Sequence, residues 1–408
     1  MAAAMNPDEM TRRFGDEVFG AAVPDIKADS VVLDIAMHPL QDVCAFGSIA
    51  GTVELWKYGR APVQVASKAL FKDSCRSLSF SADGNRLFAA GKDGSIVALD
   101  ATGAEAARIP DAHSSAITRS LHFASVMLAT GDEDGTVAVW DMRVSKPVMR
   151  FEGSARKRHL TDSVSAFAFS ASPGPTLLAT STDGTLGVVN LRTARVTDRS
   201  DQLEDEHLSV AIMKGGRKVV TGTLEGGLCI FSWGKWGNMD DRYPGLPDSI
   251  ERLVPVDGDC LLAGCGDGSV RLLQVQPNRD VLTLAELGDN SIEAMVPSRD
   301  GTLLALSAQD DVVTFVDTSS LAETAAAASP GVGAAAAAAA GGSSRARAAA
   351  AADSDDDDDD LDSDEDGDGL VGAAARAAAA ARAAGRPLRG VSRGAAAGMG
   401  GSDFFSDM

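Results

Sequence analysis

Across its 408 residues the chain has no Cys-x-x-Cys, no His-Glu-x-x-His and no histidine–cysteine cluster at zinc spacing, so no metal site is legible in it. It also lacks the Gly-x-x-x-x-Gly-Lys-Ser/Thr phosphate loop; "AAGKDGS" around Gly91 has only a superficial likeness to one. No serine stands in a nucleophile-elbow context. These absences argue against an enzyme, and no catalytic, cofactor-binding or metal-binding residue is assigned. No apolar run reaches the roughly 18 residues that a membrane span requires. The opening "MAAAMNPDEMTRRFGDEV" carries charges throughout and no apolar stretch of signal-sequence length. The expectation is a soluble, non-secreted protein with no membrane partner. Cysteines number only five, scattered mostly among apolar strand-like residues, which reads as reduced core residues in an intracellular protein. Basic residues are short as well: 37 Lys and Arg face 58 Asp and Glu, a net charge of -21. Such a chain is poorly suited to bulk nucleic acid and well suited to basic partners.

What the sequence does contain is 45% hydrophobic residues, enough for a substantial core, and an abrupt change of composition near Ser319. Before it, apolar runs alternate with Gly/Asp turns. After it come Ala/Gly-rich stretches, the acidic run "DSDDDDDDLDSDEDGDG" and the closing "GGSDFFSDM". That tail lacks the large apolar residues that offset the entropy of ordering. It holds -8 of the net charge and leaves -13 to the remainder, so the folded region is acidic too. Residues 1–17 are expected to be a flexible N-terminus, 18–318 the folded domain and 319–408 a disordered acidic tail.

Within the folded domain a single pattern recurs. "LFAAGKDGSIVALD" and "MLATGDEDGTVAVWD" are near copies, and their turn glycine reappears as Gly51, Gly94, Gly135, Gly184, Gly226 and Gly268, with Asp311 in a seventh copy. The spacings are 43, 41, 49, 42, 42 and 43 residues, a period that signals a propeller or other repeat array. Asp-Gly suits a tight hairpin because the turn that matches strand twist needs positive φ. Each copy also has an upstream partner strand, such as "SLSFSADG" or "VSAFAFS".

A repeat of this length, with short strands, a Gly/Asp turn and a terminal aromatic-Asp, resembles the WD repeat. The fold class that this implies is all-β, a seven-bladed WD40-type β-propeller. The third copy matches best, and the resemblance assigns His113, Thr130, Asp134 and Trp140 to a structural hydrogen-bond network within the blade. Trp56 also keeps the tryptophan but has Ala50 where the acid would stand. Ring closure is expected to draw the outermost strand of the last blade from Val18 to Lys27, removing an exposed sheet edge.

Three features rise above the repeat. The insert "FSWGKWGNMDDRYPGLPDSIERLVPV", together with the seven-repeat layout and the terminal Phe404-Phe405, resembles the WD repeat-containing protein 55 family and its fungal ribosome-biogenesis relatives. That likeness implies a nuclear or nucleolar scaffold in ribosomal RNA production and processing, with pre-ribosomal assembly factors as protein partners and no cofactor. Trp233, Trp236 and Arg242 are candidate partner contacts, since aromatics and arginine anchor interfaces; the alternative is that the tryptophans pack the loop onto blade 5. Second, "LATGDEDGTVAVWDMR" resembles the box by which propellers dock on the adaptor of cullin-4 RING ubiquitin ligases, with Asp141 and Arg143 facing the adaptor. Third, Arg156, Lys157, Arg158 and His159 form a basic loop able to touch RNA phosphate weakly, or simply a solvated loop. In the tail, Ser354 and Ser363 precede acids as acidophilic-kinase sites do; the tail either binds basic proteins or is a spacer. The expected whole is a monomeric, non-enzymatic interaction scaffold, with a cullin-4 substrate receptor as the alternative.

Overall fold

The computed structural model describes residues 23–321 and Thr324, apart from Ser145, 154–158 and Pro244. The N-terminus expected at 1–17 and the tail beyond Thr324, with Ser354 and Ser363, lie outside the described residues, as do Arg156, Lys157 and Arg158. The strands form seven four-stranded antiparallel sheets. Their inner strands are Val32–Met37, Cys75–Phe80, Ile117–Phe123, Val164–Ser170, His207–Met213, Ile250–Pro255 and Ala294–Pro297. Each inner strand packs on the next and the last packs on the first, closing a seven-bladed β-propeller, numbered here from the blade of Val32.

The second and third strands are apolar or small on both faces because both faces are covered. Val43–Ser48 in blade 1 and Cys260–Cys265 in blade 6 are buried at every position. Strand alternation sends Ala45 to the junction with blade 2, beside Leu78, Leu87 and Val97, and sends Cys44 and Phe46 to the junction with blade 7, beside Val313 and Phe315. Seven apolar clusters result, one at each junction between neighbouring blades. Each fully buried Leu, Ile, Val or Phe in them contributes about 1.5–3 kcal/mol. The five cysteines are all buried, and burial pushes the Cys229 and Cys265 thiols up to about 11, which leaves them protonated and unreactive near neutrality.

Blade 7 takes its outer strand from the other end of the chain. Ile26–Lys27 pairs with Val312–Val313, inside the interval expected from the sequence. Ala28 N–H donates to Asp311 O at 2.8 Å and Val32 N–H to Asp310 O at 2.9 Å, so the joint continues past Lys27 into the first blade.

The hairpin between second and third strands is braced in the same way seven times. In every blade a side-chain oxygen accepts from the backbone N–H just after the repeat glycine position. Blades 1, 3 and 5 use the residue three before it, Ser48, Asp132 and Thr223. Blades 2, 4, 6 and 7 use the residue one before it, Asp93, Asp183, Asp267 and Asp310. The glycine itself has two reasons to be there. At Gly51 φ is 76°, and an added Cβ would lie 2.1 Å from Asp73 O; at Gly268 φ is 77° and the clash is with Gly288 O at 2.2 Å. The hairpin tip is thus pressed against the backbone of the connection to the next blade.

One buried group makes the fold acid-sensitive. His207 opens the inner strand of blade 5, is fully buried, lies edge-on to Phe231, and has no hydrogen-bond partner at either ring nitrogen. Burial pushes its pKa down to about 4, against a partial upward pull from Asp205 and Asp183. It stays neutral in the fold at pH values where the unfolded chain, titrating near 6.5, is already protonated. Its contribution is therefore complete above pH 6.5 and is lost as pH falls to 4, about 3 kcal/mol across that window. His207→Leu is expected to flatten the decline of the urea midpoint between pH 6.5 and 4; equal slopes for variant and parent would refute this.

Candidate functional site

His113 precedes blade 3, Thr130 lies in its second strand (Met127–Asp132) and Trp140 in its third (Val137–Asp141). Trp140 Nε1 donates to Thr130 Oγ1 at 2.8 Å, and that hydroxyl meets His113 Nε2 at 2.7 Å. The acid that completes the network is Asp132, which corrects the assignment of Asp134: His113 Nδ1 is 2.8 Å from Asp132 Oδ2. The chain of donors then runs Trp140 N–H to Thr130 O–H to His113 Nε2, with Nδ1–H donating to Asp132. Asp132 sits two residues beyond Thr130 on the same strand, so both project to one side. Asp134 has passed into the turn and is exposed. Burial raises the Asp132 pKa, but the His113 hydrogen bond and the Thr136 N–H outweigh it and hold the carboxyl below the usual range.

In blade 1 the missing acid is replaced. Trp56 Nε1 donates to Glu54 Oε2 at 2.9 Å, and buried Glu54 also accepts from Gln64 Nε2 and Asp29 N–H. Sequence reasoning overlooked Glu54, although its separation of two from Trp56 places both side chains on one face of the strand.

Asp141 and Arg143 stand where the third strand of blade 3 ends. Arg143 grips Asp141 with Nε at 2.8 Å and Nη2 at 2.5 Å, and remains 64% exposed. The Arg143 hydrogen bond holds the Asp141 carboxyl below its ordinary range. Trp140 is 1% exposed, so the box presents a pre-aligned guanidinium on the surface and keeps its indole inside.

The blade 5 insert resolves in favour of packing for one tryptophan. Trp236 is 7% exposed and joins Leu178, Val188 and Phe231 in the cluster between blades 4 and 5, which corrects its assignment as a partner contact. Trp233 packs partly on the same cluster, edge-to-face with Trp236 at 5.1 Å. The outer strand here, Asp241–Tyr243, has only three residues, and the indoles cover what a longer strand would have covered. Arg242 is not brought together with them. It reaches Asp205 at 3.4 Å and Glu225 at 3.8 Å, on the loop and hairpin at the other end of the blade. His159, at the edge of the basic loop, pairs through Nδ1 with Glu152 O at 2.6 Å.

The two ends of the blades differ in charge. The end carrying the braced hairpins and the blade-to-blade connections exposes acids all round, among them Asp73, Asp93, Glu133, Glu204, Glu225 and Asp289. Against them the described residues of these loops supply two lysines, Lys72 and Lys92. The opposite end mixes signs, with Lys57, Arg60, Arg143, Arg192 and Arg217 among Asp42, Asp83, Asp100 and Asp257. A predominantly acidic end of this kind attracts cations at distances of about a Debye length, 8–10 Å at physiological salt. Among the described residues there is no group of three or more His, Cys, Asp or Glu able to hold a metal, and no helix is long and apolar enough to cross a membrane.

Residues 23–321 match the WDR55 family model. Over 293 residues the chain is 36% identical to WD repeat-containing protein 55 of Arabidopsis thaliana, covering 71% of this chain and 80% of that one. The human protein of the same name is 30% identical over 302 residues, 73% of this chain and 77% of its own. WD repeat-containing protein JIP5 of Coprinopsis cinerea is 33% identical over 287 residues, 66% and 68% of the two chains.

Proposed function

The chain belongs to the WDR55 family of WD-repeat proteins, and from that premise we propose that it is a non-enzymatic interaction scaffold in nucleolar ribosome biogenesis, engaging basic protein partners with its acidic end. The observation that carries the choice of partner is the asymmetry between the two ends: among the described residues, exposed carboxylates stand on nearly every hairpin and connection of one end, with two lysines among them. Ribosomal proteins and the proteins that accompany precursor ribosomal RNA supply the complementary charge, and RNA contact is then indirect. A second reading is favoured by the geometry of Arg143, whose exposed guanidinium is held ready by Asp141: docking on a cullin-4 ligase adaptor as a substrate receptor. This surface lies at the end opposite the acidic one, so the two readings use separable faces.

Affinity purification of the full chain from nuclear extract, beside Arg143→Ala, tests both. Because Arg143 is 64% exposed and its ion-pair partner is the single, half-buried Asp141, its removal is expected to change stability by less than about 0.5 kcal/mol. Pre-ribosomal assembly factors and precursor ribosomal RNA in both samples are the expected result. Ligase adaptor recovered with the parent alone, and no pre-ribosome in either, would make the receptor reading primary and overturn the scaffold.

A further inference from the structure

The inner strands enclose a channel that two guanidiniums divide. Arg119 from blade 3 and Arg252 from blade 6 line both a cavity of about 260 Å³ at the acidic end and one of about 490 Å³ that continues to Pro39, Ala82 and Ala124 at the other. Arg119 donates from Nε to Ser165 O at 2.9 Å and from Nη1 to Thr118 O at 3.3 Å; Arg252 donates from Nη1 to Glu251 O at 2.8 Å. Arg252 Nη2 is buried with no hydrogen-bond partner. Neither arginine is in an ion pair among the described residues. The carboxylates around them have other partners: Glu251 accepts from Ser249 Oγ, Glu293 from Gln309 Nε2 and Asp34 from Leu78 N–H. Two of the lining hydroxyls are spent too, Thr118 on Val164 O and Ser165 on His207 O. Burial, and then the neighbouring Arg252, push the Arg119 pKa down to about 10. Two half-buried guanidiniums repel one another, a repulsion that Asp34, Glu293 and Glu251 offset only in part; the buried, unused Arg252 donor is costly to hold, and a guanidinium fork is matched by a carboxylate.

The charge of the surroundings selects among anions. Glu251 and Glu293 line the 260 Å³ cavity and Asp34 lies just beyond it, which disfavours a doubly charged phosphate, while the acidic rim repels a polyanion such as RNA. A single carboxylate carried on a basic chain satisfies the rim and the channel together. We propose that Arg119 and Arg252 form a carboxylate-binding site at the channel mouth, which takes one side-chain or C-terminal carboxylate of a basic protein segment lying on the acidic end. The site rests on the reading above, that this end receives basic partners.

Calorimetric titration of the full-length protein at low salt with three lysine-rich peptides tests it. One has a single internal glutamate and an amidated C-terminus, one has only a free C-terminal carboxylate, and a control has neither. Bulk attraction to the acidic end favours the control, which is more positive, so a carboxylate advantage has the opposite sign to the background. The expected result is at least one carboxylate peptide binding tenfold or more tightly than the control, with the advantage abolished in Arg252→Gln and the control affinity unchanged. Acetate replacing chloride at constant ionic strength reads the same site without substitution, and is expected to weaken only the carboxylate peptides. Control affinity equal to or tighter than both carboxylate peptides, indifference to acetate, or an advantage that survives Arg252→Gln would overturn the carboxylate site and leave the acidic end intact as a basic-partner surface. Binding of none of the three would overturn that reading and the site with it.

Discussion

Removal of residues 1–28 is expected to lower the thermal midpoint by about 8 °C, the shift that a loss of about 5 kcal/mol produces in a domain of this size. The loss is concentrated at Ile26, 2% exposed, which lies in one cluster with Val32, Val313 and Phe315. Emptying such a site costs about 2–5 kcal/mol, and the ladder bonds to Val312 and Val313 and the Ala28 N–H bond to Asp311 add about 1 kcal/mol each. Tyr58, stacked on Phe315 at 5.5 Å, loses some of its cover as well. The newly bare edge of Val312–Asp317 is also a template for strand pairing between molecules, so light scattering should rise before the transition. Ile26→Asp within the full chain separates closure from mere length, and is expected to reproduce most of the loss. A truncated protein that melts with the parent would refute closure by this strand.

Asp132→Ala and Asp134→Ala are expected to differ widely although the residues are two apart. The first leaves buried His113 Nδ1–H without an acceptor and releases the N–H groups of Asp134 and Thr136, which Asp132 Oδ1 now receives. A cost of about 3–4 kcal/mol follows from an unsatisfied buried donor and a lost hairpin brace. The second removes an exposed turn side chain and stays within about 0.5 kcal/mol. Urea midpoints of the two variants, measured together, decide the matter; equal losses would restore Asp134 to the network.

That pair also shows where the sequence was readable and where it was not. The turn-glycine period counted the blades correctly because in six of them positive φ and the approach of a neighbouring carbonyl both demand glycine, and Asp311 keeps the spacing in the seventh. The closing strand was locatable because a ring must meet itself near its last strand. The acid of the network was misplaced because the resemblance assigned the hairpin acid Asp134, whereas strand parity sends Asp132 to the same side as Thr130. Trp236 went astray for another reason: an aromatic in an insert looks the same whether it meets a partner or fills in for a short outer strand. Arg119 and Arg252 drew no notice at all. Each sits alone in an apolar-polar inner strand, and only the closing of the ring brings blades 3 and 6 face to face across a channel.

The joint between Ile26 and Val313 also dictates an order of events on the ribosome. At about 5–20 residues per second, the segment that completes blade 7 emerges ahead of every blade and waits about 15–60 s for its partner to be made. During that interval six blades can condense in succession on nearest neighbours, while blade 1 keeps one apolar flank, including Ile35, Cys44 and Phe46, uncovered. Closure then costs chain entropy that grows only logarithmically with the intervening length, but its long sequence separation makes it the slow step. The seventh blade is in this sense a lock thrown only on chains that have passed residue 313, and a polypeptide released before it leaves the ribosome with an open ring.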